Sequence, residues 1–188
     1  QHITILDFTR LLPGPLATHL LRQMGARVIR VEHPKRSDLA RVQPPFVGGQ
    51  STLFASLNTG KETEVIDYTT EEGLARIQAL VAEADVVVEQ FRPGVMSKWR
   101  LDYDNLRTHK PDLIYASLTG YGQQGEWALQ PGHDINYLAM AGVLDLNRDA
   151  QGRPVVPGVQ VADIGGGSYM CAMGIVSALF HRAQTGEG

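Results

Sequence analysis

Apolar and polar positions follow two alternating rhythms along this chain. Short apolar stretches of strand length recur at residues 3–8, 28–32, 64–67, 85–89 and 113–118. Between them, apolar side chains return every three or four positions, as in Leu16, Leu20, Leu21 and Met24, and again in Leu74, Ile77, Leu80 and Val81. The first rhythm suits buried strands and the second suits helices with one apolar face. Pro15 fits a first helical turn and Gly25 a helix stop. Strand, helix and strand in succession form a βαβ unit, which implies parallel pairing with a right-handed crossover. The repetition predicts an α/β fold with a Rossmann-like, doubly wound, mainly parallel sheet.

The rhythm fails in two places. Residues 33–56 have no clean period and contain Pro34, Pro44, Pro45, Gly48 and Gly49. A loop of that length is usually functional or mobile. After Leu118 the composition shifts to a glycine-rich loop (Gly120, Gly122, Gly125), a helix over 134–141 and a turn-rich stretch over 144–157. Short helices are expected at 94–99, opened by Pro93, and from Asp102 through Leu106. Asp163 is expected to cap a long helix running to about Ala183.

Composition narrows the picture. The chain has 188 residues, 43% hydrophobic and 20% charged, which suits one globular domain, or one domain and the beginning of a second. A formal charge of −3 and 7% aromatic residues give no case for a nucleic-acid surface. One cysteine, Cys171, excludes an internal disulfide and points to a reducing compartment, so the cytoplasm is expected. Its apolar neighbours Met170, Ala172 and Met173 predict a buried structural thiol. No signal peptide is apparent. The most apolar run, 169–180, falls short of the ~20 residues that span a membrane, so no membrane partner is expected. The chain ends just past a helix, as part of something longer would.

Two stretches concentrate the chemistry. Pro131-Gly132-His133-Asp134-Ile135-Asn136-Tyr137 and Val161-Ala162-Asp163-Ile164-Gly165-Gly166-Gly167 each place an ionisable side chain at a helix mouth beside small residues. Glycine lets a ligand approach closely, and free N–H groups at a helix start favour a developing anion. Asp163 alone reads as a cap, but three successive glycines cost about 1 kcal/mol each against alanine. That cost makes sense if something bulky lies against the helix start. His133 and Asp163 together could flank one carbon acid.

Ligands bind beyond the carboxyl ends of strands in such a sheet, which directs attention to 9–15, 32–36, 89–94 and 118–122. Leu12-Pro13-Gly14-Pro15 is neither a dinucleotide fingerprint nor a phosphate loop, so NAD and ATP are disfavoured. Arg92, beside Phe91 and Gln90, reads equally well as a phosphate contact or a solvated cation. His33, before Pro34-Lys35-Arg36, could lie against an adenine or phosphate. The histidines show no metal-ligand spacing, and no metal is expected.

At these residues the sequence resembles the family III CoA-transferase superfamily, of the CaiB/BaiF type, and within it the α-methylacyl-CoA racemases. The resemblance runs in order along the whole chain. It is carried by Leu12-Pro13-Gly14-Pro15, 25–32, Phe91-Arg92-Pro93-Gly94-Val95, 118–123 and the two site motifs. It implies that residues 1–188 are the N-terminal part of a large CoA-binding α/β domain, with a second, smaller domain absent from this chain. It implies His133 and Asp163 as two catalytic bases, or Asp163 as the nucleophile of a CoA-transferase. It further implies an acyl-CoA thioester as substrate, with no other cofactor. Contacts to CoA would come from His33, Gln90, Phe91, Arg92 and Asp134, and the full-length form would be an interlocked homodimer. A non-catalytic CoA-binding fragment or subunit is the third reading. One departure is visible: Asp67-Tyr68-Thr69 stands where the family usually has Asp-Leu-Lys, so Thr69 replaces a lysine resembling a CoA contact.

Overall fold

The computed structural model describes residues 2–188. Five strands, β1 (Thr4–Asp7), β2 (Arg27–Glu32), β5 (Glu62–Val65), β6 (Val86–Glu89) and β7 (Ile114–Ser117), form one sheet in the order β5-β2-β1-β6-β7. Every neighbouring pair is parallel. Chain order reverses between β1 and β6, so the loops following those strands diverge and leave a crevice at their carboxyl ends. A separate two-residue hairpin, β3 (Phe46–Val47) with β4 (Gln50–Ser51), lies in the long connection after β2.

Alternation along the strands fills two apolar layers. Leu6, Ile29, Val31 and Val87 face α3 (Glu71–Glu83), whose Ile77, Leu80 and Val81 are buried against them. The short helices α4 (Val95–Lys98) and α5 (Tyr103–Leu106) close the same face through Met96 and Leu106. Ile5, Val28, Val86 and Val88 face the other way, toward Ala17 and Leu21 of α1 (Gly14–Gln23) and Ala172 and Ile175 of α8 (Met170–Thr185). Full burial of each large side chain contributes roughly 1.5–3 kcal/mol relative to exposure. Met24, expected on the buried stripe of α1, is 70% exposed, because the helix ends at Gln23 and the chain turns away at Gly25.

Most polar groups inside the fold are paired, the buried exceptions among the described residues being His19 Nδ1, Arg30 Nε and His33 Nε2. Lys61 Nζ, fully buried, shares its three N–H donors among four acceptors, Asp7 Oδ2 (3.1 Å), Pro15 O (2.8 Å), Thr18 Oγ1 (2.8 Å) and Asn58 Oδ1 (3.1 Å). It thereby ties β1 and α1 to α2 (Thr52–Asn58). The second network pins the 33–56 connection. Arg30 donates to Glu32 (2.7 Å) and Asp38 (2.9 Å), and Arg41 grips Glu32 from outside (2.7 Å). Burial opposes ionisation of Glu32, but Arg41, the Asp38 N–H and Arg30 prevail and lower its pKa to about 2. The segment expected as an irregular loop therefore carries a 3-10 turn (Leu39–Val42) and the β3–β4 hairpin, held by charge rather than by an apolar period.

Three boundaries differ from expectation. The third parallel strand begins two residues earlier than the pattern suggests, which leaves Ile66 to enter the core and Asp67 to start a turn. A short helix, α7 (Val143–Leu146), occupies the beginning of the turn-rich stretch. Asp163 is not an N-cap: a π-helical segment starts at Ala162 and runs through Tyr169 into α8. The combined helix, Ala162–Thr185, is long and apolar enough by composition to cross a membrane, longer than the apolar run alone suggested. Here it packs on the sheet, and Arg182 anchors its end to Asp85 at 2.6 Å.

Candidate active site

A cleft of about 900 Å³ opens at the point where the strand order reverses. Its floor is the turn after β1, with Leu11, Leu12 and Pro13; one wall is Gln90, Phe91 and Arg92 after β6. The opposite wall brings together His133, Tyr137, Gln160, Asp163 and Gly166. Residues from both site motifs, His133 and Asp163, 30 positions apart in sequence, thus line one wall of the same cavity. Among the described residues no three His, Cys, Asp or Glu side chains gather as a metal site.

The floor is held in an uncommon shape. Leu11 has φ +56°, a left-handed conformation that costs a branched residue about 1–2 kcal/mol. Its N–H donates to Asp38 Oδ1 at 3.0 Å, so the charged network behind β2 sustains the strain. Gln90 spans the crevice: its Oε1 accepts the Gly14 N–H (3.0 Å), and its Nε2 donates to Arg10 O (2.5 Å). Both ends of that amide are used in joining the two loops. A ligand contact from Gln90 would have to share those bonds.

Phe91 packs edge-on against Trp99, and its N–H donates to the buried Glu89 (2.7 Å). Burial raises the Glu89 carboxyl above its ordinary value, against hydrogen bonding from Ser117 and Phe91. The cation over the Phe91 ring is Arg10, at 5.8 Å, rather than the adjacent Arg92. Arg92 is exposed on the cleft wall and has no side-chain partner among the described residues.

His33 stands apart from the cleft. It is buried, its Nδ1 accepts the Lys35 N–H (3.1 Å), and its ring meets Tyr68 edge-on. Its Nε2 lies 3.1 Å from Asp67 Oδ1 without hydrogen-bond alignment. Thr69 turns its hydroxyl to the same Asp67 (2.5 Å).

Across the cleft, His133 precedes α6 (Asp134–Met140), with its backbone N–H on Asn136 Oδ1 (2.9 Å) and its imidazole exposed to the cavity. The Asp134 N–H, at the first helical position, has no partner among the described residues, as expected of a first-turn donor. The carboxylate of Asp134 faces away from the lining and accepts the Asp163 N–H at 2.8 Å. Asp163 is buried apart from its cleft side, and Gln160 Nε2 donates to its Oδ2 (3.1 Å). Burial and the like charge of Asp134 raise the Asp163 carboxyl above its ordinary value, against the opposing influence of His133 and Gln160.

The three glycines after Asp163 divide in role. A Cβ on Gly165 or Gly166 would enter open space, while one on Gly167 would stand 2.8 Å from Pro13. The floor and the π-helical turn therefore touch, and Ser168 Oγ seals them by donating to Pro13 O (2.8 Å). π-Helical turns are common at functional sites.

Tyr137 carries a role that the motif did not suggest. Any Cβ on Gly120 or Gly132 would overlap its ring, so both glycines are space for one aromatic side chain. Tyr121 packs edge-on against it, with centroids 5.2 Å apart. Glycines flanking a tyrosine were the available signal, but they read equally as flexibility. Cys171 is half-buried, its thiol pushed up to about 11 by burial and by Asp7, although Met170 and Met173 are exposed.

Taken together, this is an α/β protein with a cleft at its topological switch point, lined on one side by an imidazole and a carboxyl group. The chain belongs to CoA-transferase family III, whose family model matches residues 1–188. It is 40% identical over 187 residues to acetyl-CoA:oxalate CoA-transferase of Acetobacter aceti, covering 99% of this chain and 48% of that protein. It is 40% identical over 189 residues to human alpha-methylacyl-CoA racemase, covering 100% of this chain and 46% of that protein. A CaiB/BaiF family protein from Brucella suis has the same fold, with a TM-score of 0.92 and 38% identity, covering 99% of this chain and 50% of that one. The chain spans about half the length of the curated relatives it matches.

Proposed function

We propose that this site acts on the α-carbon of a 2-methylacyl-CoA thioester and inverts it by two-base proton transfer. The observation that carries the reading is the convergence of His133 and a desolvated Asp163 on one cleft, beside the open space at Gly165 and Gly166. One base removes the α-proton, and its electron pair moves onto the thioester oxygen as an enolate. The conjugate acid of the other base returns a proton to the opposite face. A histidine titrates near neutrality and can serve in either role. An ordinary aspartate is a weak base, so a raised Asp163 pKa is what the scheme needs. Enolate stabilisation, usually the largest catalytic contribution, falls to the free Asp134 N–H at the start of α6. Arg92 and Phe91 border the cleft where the CoA moiety would lie.

In this reading residues 1–188 are the N-terminal part of a large CoA-binding domain. The intact protein is a cytoplasmic, interlocked homodimer whose remaining half completes the acyl pocket. The test is α-proton exchange from D2O with the intact protein: exchange in the wild type, and its loss in both His133→Ala and Asp163→Ala. Retention in both variants ends the two-base model.

A second reading is favoured by the relatives, since CoA-transferases match as well as a racemase does. There the Asp163 carboxylate attacks the thioester carbonyl, CoA thiolate leaves, and an acyl anhydride forms on the enzyme. Trapping with hydroxylamine in the presence of a carboxylic acid acceptor, without α-proton exchange, would select it.

A further inference from the structure

We infer that Asp134 is a positioning residue: its carboxylate fixes the backbone of Asp163 and thereby couples the two site motifs. The inference rests on the reading of Asp163 as the reacting carboxyl, and it concerns the Asp134 side chain rather than its N–H.

The geometry is direct. Asp134 Oδ1 accepts the Asp163 N–H at 2.8 Å, between residues 29 positions apart. Asp163 lies in the first turn of the Ala162–Thr185 helix, where N–H groups lack partners within the helix. The segment before it supplies no side-chain cap, so the cap arrives from another helix. Two further bonds complete the hold on Asp163. Gln160 donates to Oδ2, and the carbonyl oxygen lies 3.0 Å from Ser168 Oγ, sharing that hydroxyl's one proton with Pro13 O. With Oδ2 and the N–H engaged, Oδ1 is the oxygen left to react.

The pair also has an electrostatic consequence. Groups bearing on Asp163 are Asp134, His133 and Tyr137 on the α6 side and Gln160 on its own segment. Asp134 and Gln160 act in opposite senses: the first opposes ionisation by like charge, the second favours it by hydrogen bonding.

Titration of Asp163 in the intact protein, carrying carboxyl-13C aspartate and assigned with Asp163→Asn, reads this without turnover. Asp134→Asn keeps an oxygen acceptor for the N–H and removes the charge. Its Asp163 midpoint should fall. Gln160→Leu should raise the midpoint. An unmoved midpoint in Asp134→Asn, or shifts of the same sign in both variants, overturns the inference. A wild-type measurement covers a failure of Asp134→Asn to fold: the Asp163 amide proton should follow the titration of the Asp134 carboxyl. An amide that ignores it overturns the inference equally. A protein without α-proton exchange would defeat the racemase reading and leave this result standing.

Discussion

Lys61→Met removes an ammonium group that is wholly buried and has four acceptors. The Asp7 carboxylate, also wholly buried, would keep the Thr9 N–H (2.9 Å) and the hydroxyls of Thr9 and Thr18. It would lose its counter-ion. Burial penalises the Asp7 charge, yet Lys61 and the threonines hold its pKa below the ordinary value, so the site depends on ionisation. Breaking a buried pair by removing one partner costs about 3–5 kcal/mol, against about 0–1 for an exposed pair. Asp7→Asn should be costly for the mirrored reason, leaving Lys61 with uncharged acceptors alone. The double variant should cost less than the sum, because neither charge is then stranded; a shortfall of about 1–3 kcal/mol is expected for contacting residues. Urea midpoints for the four proteins of this cycle give the coupling directly. A loss below about 1 kcal/mol in Lys61→Met, or simple additivity in the double variant, would refute the account, since the pair would then behave as a solvated one.

Gly167→Ala and Gly166→Ala should separate packing from access. The first drives a Cβ into Pro13 and should cost about 1–3 kcal/mol, whereas the second meets open space and should raise stability slightly while obstructing the cleft. Thermal melts and turnover of the intact protein check both halves of that expectation. Glu32 has a folded-state pKa lowered to about 2 from an ordinary 4.5, so its contribution is complete above pH 4.5 and disappears as pH falls through about 2. That difference corresponds to roughly 3 kcal/mol, and Glu32→Gln should flatten the acid side of the stability curve measured by urea unfolding at stepped pH.

Part of this molecule is legible in linear order. Residues 5, 6, 28, 29, 86, 87 and 88 are apolar because the sheet is covered on both faces, and the run at 85–89 needs no partner to be recognised as a strand. The two site motifs also announce themselves, because glycine next to an ionisable residue near a helix start is costly unless space is needed there, and here that space is the open cleft at Gly165 and Gly166 and the Tyr137 ring at Gly132. Long-range polar pairing leaves no such trace. Nothing in the spacing of Asp7 and Lys61, or of Leu11 and Asp38, marks them as bonded, since hydrogen bonding imposes no periodicity on the chain. For the same reason the 33–56 segment looked irregular while being held by Glu32, Arg30, Asp38 and Arg41.

The sequence alone therefore determined the parallel α/β architecture and singled out His133 and Asp163 as candidate reactive side chains, because apolar periodicity and residue chemistry are local properties. Tertiary structure decided their relations. It placed His33 against Tyr68 rather than in the cleft, used the Gln90 amide as a bridge, and cleared Gly120 and Gly132 for the ring of Tyr137. It also turned the Asp134 carboxylate onto the Asp163 N–H. Such contacts depend on distances between elements, and those exist only once the sheet has brought distant segments to one end.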